Sequence, residues 1–228
     1  MTDRSATPDA SKLFSPLVER AVELAAEWHD QTYRKGRWRA HPYDPPPETV
    51  LRVPVMAHLT AVALTVQRAG WDDETVAAAF LHDALEDRNQ FKHTLTYDDL
   101  AALVGEPVAA RVRGVTEPKG GPGGLPWQHR KEAYLDALQA ASVESIAVSL
   151  ADKLHNAWTM NQALSEGIDI FSDGAHRRGL SAGPADQLWF FERVLAVSEA
   201  YDDERLVPMR ARLREEVRRF NRLACDEA

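Results

Sequence analysis

The chain has 228 residues, enough for one sizeable hydrophobic core and short for two domains. Hydrophobic residues make up 44% of it, and no apolar run approaches the length of a bilayer span, so no membrane insertion is expected. The net charge of -8 argues against broad nucleic-acid affinity while leaving room for a local basic pocket, and a single cysteine, Cys225, removes any disulfide framework or thiolate metal cluster. A metal, if one is bound, has to use nitrogen and oxygen ligands.

Residues 1–11 are polar, lack an apolar signal core and read as a flexible tail, which makes the cytoplasm the expected compartment. Apolar residues then recur at helical spacing over Leu13 to Trp28, Val50 to Val66, Val76 to Leu85 and Leu100 to Val115. The same period continues over Tyr134 to Leu138, Ile146 to Met160, Leu188 to Val197 and Leu206 to Leu223. Breaks such as "HPYDPPPE" at 41–48, "GWDDE" at 70–74 and "EPKGGPGGLP" at 117–126 carry the usual turn residues, and Thr96 before "YDDLAALV" is a helix-start signal. Alternating, strand-like runs are scarce. The pattern predicts an all-α, single-domain helical bundle over 12–223, with a surface loop at 117–126 and a short C-terminal tail at 224–228.

The stretch "AFLHDALEDRNQ" places His82, Asp83, Glu86 and Asp87 inside an apolar run. If residues 74–86 continue as one helix, these four side chains share a sector of roughly 140°. Three carboxylates crowded on one turn repel one another, and burying them without a cation costs several kcal/mol, roughly. A bound metal offsets that cost; a solvated helix end is the plainer reading of a lone His-Asp pair. In "SLADKLHNAWTM", Asp152, Asn156 and Thr159 fall at i, i+4 and i+7, one stripe on an apolar helix. His155 lies off that stripe and reads as a packing residue or a support for a ligand, while Lys153 points away from it. His58, in "VPVMAHLTAVAL", taken alone reads as a core histidine.

Taken together, "HDQTYRKG" at 29–36, "PVMAHL" at 54–59, "FLHDALED" at 80–87, "GVTEPK" at 114–119 and "SLADKLHN" at 149–156 resemble, in order, the motifs of the HD-domain hydrolases of the RelA/SpoT type. The small alarmone hydrolases are the subgroup most similar in length. The resemblance implies an HD-type helical fold, a metal held by His58, His82, Asp83 and Asp152, and an acid/base pair in Glu86 and Asp87. It also implies nucleotide contacts from Arg34, Lys35, Asn156 and Thr159. Manganese is the metal it implies, and a ligand set of two imidazoles and two carboxylates suits Mn²⁺, with Fe²⁺, Zn²⁺ or Mg²⁺ as alternatives.

The implied activity is hydrolysis of the 3′-pyrophosphate of (p)ppGpp or a related alarmone, giving GDP or GTP and pyrophosphate. Other readings are the same chemistry on an adenosine alarmone, a NADPH-like cofactor or a pyrophosphorylated tRNA, and a nucleotide sensor without turnover. Departures from the motifs bear on substrate identity. Val55 stands where the family has Tyr, Arg88 where it has Thr, Ser149 where it has Lys before "LAD", and Glu117 where it has the Lys of "GVTK". Residues 37–50 form an insertion holding three consecutive prolines, Arg37, Trp38, Arg39 and a decoy histidine, His41, and are expected to form either a pocket wall or a surface loop. No segment after residue 223 is long enough for the synthetase domain that long members append, so hydrolysis without synthesis is expected. The sequence leaves the oligomeric state open.

Overall fold

A computed structural model describes residues 13–38, 52–118, 124–173 and 179–225. Among these lie nine helices and one two-stranded hairpin. The first helix, α1 (Pro16–Trp28), starts where the Ser15 hydroxyl accepts the Val18 N–H and Pro16 occupies the first turn, where no donor is needed. The chain then enters β1 (Tyr33–Trp38), which pairs antiparallel with β2 (Arg52–Pro54). The hairpin is an addition to the all-helical expectation. It places Arg34 and Lys35 on a strand. Most of the insertion, residues 39–50, with His41, lies outside the described residues, as do the side chains of Lys35, Arg37 and Trp38.

Pro54 leads directly into α2 (Val55–Arg68), whose buried stripe of Val55, His58, Leu59, Val62 and Val66 follows the helical period. Next comes α3 (Asp73–Leu81), capped by Asp72 and buried on all sides from Thr75 to Leu81, so it runs through the middle of the core. Its end differs from the expected continuation to residue 86. His82 Nδ1 lies 2.8 Å from the Ala79 carbonyl, the acceptor that the Asp83 N–H would need in a continuing α-helix. The chain instead tightens into turns, with Ala84 bonded back to Leu81 and both Glu86 and Asp87 to the Asp83 carbonyl.

The expected Leu100 to Val115 segment is two helices, α4 (Tyr97–Val104) and α5 (Glu106–Arg113), split at Gly105. Its φ of 93° is a backbone conformation that glycine adopts without strain. Thr96 and Asp99 form a reciprocal capping box at the start of α4. α6 (Trp127–Gln139) follows, and then α7 (Val143–Ser165), whose buried residues include Asp152, Lys153, Thr159 and Asn161 beside the apolar set. A stretch buried all round, as from Ser145 to Lys153, is the natural carrier of inward-facing polar groups, and α7 packs against α2, α8 (Pro184–Ser198) and α9 (Leu206–Ala224). No helix among the described residues is long and apolar enough to cross a membrane.

Candidate active site

Four residues from three distant stretches of the chain meet where α2, the turn after α3 and α7 converge. His58 Nε2 lies 3.3 Å from His82 Nε2 and 3.1 Å from Asp152 Oδ1. His82 Nε2 is 3.4 Å from Asp83 Oδ1 and 3.9 Å from Asp152 Oδ1. Both histidines are buried, at 1% and 4% exposure, so water does not separate these atoms. The Ala79 carbonyl can only accept, so His82 carries a proton on Nδ1 and, when neutral, turns an Nε2 lone pair towards the other three groups. His155 Nδ1 lies 2.8 Å from His58 Nδ1 and orients that ring, so that its Nε2 faces the same groups. Two imidazole nitrogens and two carboxylate oxygens facing one another need a proton or a cation among them. These residues fit a divalent metal, and His58, His82 and Asp83 by themselves form a three-ligand cluster.

Electrostatics around this cradle are unequal. Burial, helped by the Arg34 charge, pushes the His58 imidazole down to about 4, so it is neutral and available as a ligand. Burial also opposes the charged form of His82, but Asp83 and Asp152 outweigh it and raise its pKa. Asp152 would be raised by burial too, yet Lys153, whose ammonium contacts its Oδ2, and His58 hold it well below the usual carboxylate range. Lys153 reaches this place from the next position on α7 and lies 4.8 Å over the Tyr134 ring, whose hydroxyl is 2.7 Å from Ser149 Oγ.

Glu86 and Asp87 lie beside the cradle in the turn after α3. Burial and the nearby Asp83 charge raise the Glu86 carboxyl to about 7. Its Oε1 accepts the Glu117 N–H at 2.7 Å, and the Glu117 carboxylate is itself held on α6 by Arg130 and Lys131. Trp28 Nε1 donates to the Asp87 carbonyl at 3.0 Å, tying the turn to the end of α1. On the other side Arg34 donates to Asn156 Oδ1, Asn156 Nδ2 donates to Asp152 Oδ1 at 2.6 Å, and Thr159 Oγ1 donates to the Asn156 carbonyl at 2.9 Å. A polar chain therefore runs from the hairpin to the metal cradle. Apart from the Lys35 side chain, the residues expected at the site thus fall in one region.

Sequence reasoning set Lys153 aside because it lies 100° from Asp152 around the helix; a long flexible stem lets it return to its neighbour's carboxylate. Glu117 appeared only as a departure from a motif, and Arg130 and Lys131 were not singled out. His29 stood in a quoted motif without a role, although it is buried beside Asp87. Glu117, Arg130, Lys131 and His29 share contacts to other elements of the fold, which leave no local period.

Residues 46–181, more than half of the chain, match the family model described as HD domain. A probable guanosine-3′,5′-bis(diphosphate) 3′-pyrophosphohydrolase of Synechocystis is 34% identical over 175 residues, which cover 72% of this chain and 20% of that protein. A guanosine-3′,5′-bis(diphosphate) 3′-pyrophosphohydrolase of Danio rerio is 33% identical over 116 residues, 50% of this chain and 59% of that one. The chain thus spans about a fifth of the length of the Synechocystis relative and of a similar one from Aquifex aeolicus. A crystal structure from Listeria monocytogenes, 29% identical, superposes with a TM-score of 0.56 over 71% of this chain and 91% of that one. A metazoan ortholog of SpoT, 22% identical, shares the fold with a TM-score of 0.58 over 95% of this chain and 97% of that one. With His82 and Asp83 as its adjacent His-Asp pair, the chain belongs to the HD domain family.

Proposed function

We propose that this protein is a metal-dependent phosphohydrolase that removes the 3′-pyrophosphate from guanosine tetra- or pentaphosphate or a related alarmone, giving GDP or GTP and pyrophosphate. The observation that carries this reading is the convergence of His58, His82, Asp83 and Asp152 on one point beside a carboxyl, Glu86, poised near neutrality. The printed names of the Synechocystis and Danio rerio relatives support the choice of substrate.

Hydrolysis of a phosphate ester needs a nucleophilic water, relief of phosphate charge and a proton path. A divalent ion, when bound, neutralises phosphate charge and lowers the pKa of a coordinated water; oxygen- and nitrogen-rich ligands without sulfur favour Mn²⁺, with Fe²⁺, Zn²⁺ and Mg²⁺ behind it. His58, His82, Asp83 and Asp152 would hold that ion, with His155 and the Ala79 carbonyl fixing the two rings. Glu86, with a pKa of about 7, can both take and return a proton at physiological pH. Asp87, next in the chain, would share that work by orienting the attacking water. Arg34, Asn156 and Thr159 would face the nucleotide, where a guanidinium meets phosphate oxygens or the face of a base, and Lys35 is assigned there by the motif alone. A small nucleotide as substrate suits a cytoplasmic setting and needs no nucleic-acid partner.

Purified protein loaded with Mn²⁺, incubated with a panel of 3′- and 5′-phosphorylated nucleotides, tests this reading. GDP and pyrophosphate from ppGpp are the expected products, and the panel includes adenosine alarmones, NADPH and pyrophosphorylated tRNA as competitors. Release of phosphate species only from a 5′ position, or from none, would overturn it.

A further inference from the structure

His29 closes α1 as its C-terminal cap and is 3% exposed, yet neither ring nitrogen has a hydrogen-bond partner. Leaving a buried polar group unsatisfied costs about 1–3 kcal/mol, so such a residue calls for an explanation in the state in which the protein works. The nearest charged group is the Asp87 carboxylate, with Oδ2 at 4.0 Å from His29 Nδ1. That gap is too long for a hydrogen bond and too short for a bridging water, whereas a small rotation of either side chain closes it. Asp87 is meanwhile gripped from behind by the preceding residue, since Trp28 Nε1 donates to its backbone carbonyl. Two consecutive residues at the end of α1 thus address the two ends of one aspartate.

We propose that His29 is a positioning residue for Asp87: its Nδ1–H closes on Oδ2 and fixes the carboxylate's orientation towards the reacting water. Burial lowers the His29 pKa against the opposing pull of Asp83 and Asp87, so a neutral ring with one N–H to give is the form present. The role rests on the phosphohydrolase reading and goes beyond it, because the cation cradle and the Glu86–Asp87 pair leave His29 without a task. The His29 ring nitrogens lie outside the three-ligand metal cluster.

Three measurements on the full chain test the proposal. His29→Phe fills the space without a donor, and His29→Asn places an amide N–H where Nδ1–H was. With Mn²⁺ and ppGpp, His29→Phe is expected to lower kcat about thirtyfold with KM within threefold of wild type, and His29→Asn to return kcat to within fivefold. Mn²⁺ affinity and stoichiometry, read by calorimetry, stay unchanged in both. Wild-type kcat in His29→Phe, an Asn variant no better than Phe, or loss of a bound Mn²⁺ equivalent would each overturn the role. The third measurement needs neither turnover nor a stable His29 variant. Imidazole ¹⁵N shifts of the wild type should report a proton on Nδ1 of His29, and Asp87→Ala should change that signal. A signal that Asp87→Ala leaves untouched overturns the proposal even if the substrate turns out to be a different nucleotide, while failure on ppGpp with that signal intact counts against the substrate alone.

Discussion

Asp152 on α7 and Glu86 in the turn after α3 are two carboxyls of one site held in opposite states. Asp152 has a buried ammonium from Lys153 and an imidazole from His58 against it, and stays ionised well below the usual carboxylate range. Glu86 has burial and the Asp83 charge against ionisation, and a backbone N–H in its favour, and settles near 7. The difference teaches how one small site divides its labour. On the proposed reading, Asp152 is a ligand kept charged on a buried helix with its counter-charge built in, while Glu86, in the turn, is left free to change state.

The comparison breaks most completely if the ligand side loses charge. Asp83→Asn and Asp152→Asn are expected to weaken Mn²⁺ binding at least a hundredfold and to reduce pyrophosphate release by about 10⁴ or more, read by calorimetry and product assay. Next in size is Lys153→Met. Removing one partner of a buried ion pair costs about 3–5 kcal/mol, so urea unfolding of the metal-free protein should show a loss in that range, and saturating Mn²⁺ should restore part of it.

The Glu86 side is sharpened by pH. Its folded pKa, about 7, lies above the ordinary glutamate value of 4.5, so folding favours the protonated form. That contribution is fully present below pH 4.5 and lost as pH rises through 7. Relative to Glu86→Gln, the metal-free wild type should lose about 2 kcal/mol between pH 5 and pH 8 in urea titrations. A difference that does not vary with pH would mean that Glu86 is an ordinary ionised carboxylate. Smallest is Asn156→Ala, which cuts the link from Arg34 to Asp152 and should raise KM about tenfold, roughly 1.4 kcal/mol, with kcat within threefold.

Part of this site is legible in the sequence because His58 and Asp152 sit on helices with a clear period. The spacing of Asp152, Asn156 and Thr159 along α7 survives in the structure as one polar chain, and the buried stripe of α2 carries His58 inward. The turn at His82 is not legible, because a helical pattern and a tight turn share the same apolar residues there, and the deciding bond is one imidazole on one carbonyl. Neither are Lys153, Glu117 and His29, whose partners lie on other elements or whose stems bend back against the helical angle. The hairpin of β1 and β2 was missed because its strands are short and separated by the insertion.

The most direct test of the division between ligand and proton carrier is one single-turnover experiment on Mn²⁺-loaded Glu86→Gln with ppGpp, with bound metal counted in the same sample. The account predicts one Mn²⁺ per chain, as in the wild type, and pyrophosphate release slower by about a hundredfold or more. Full metal occupancy with release within about threefold of wild type, less than roughly 1 kcal/mol in barrier, would contradict it.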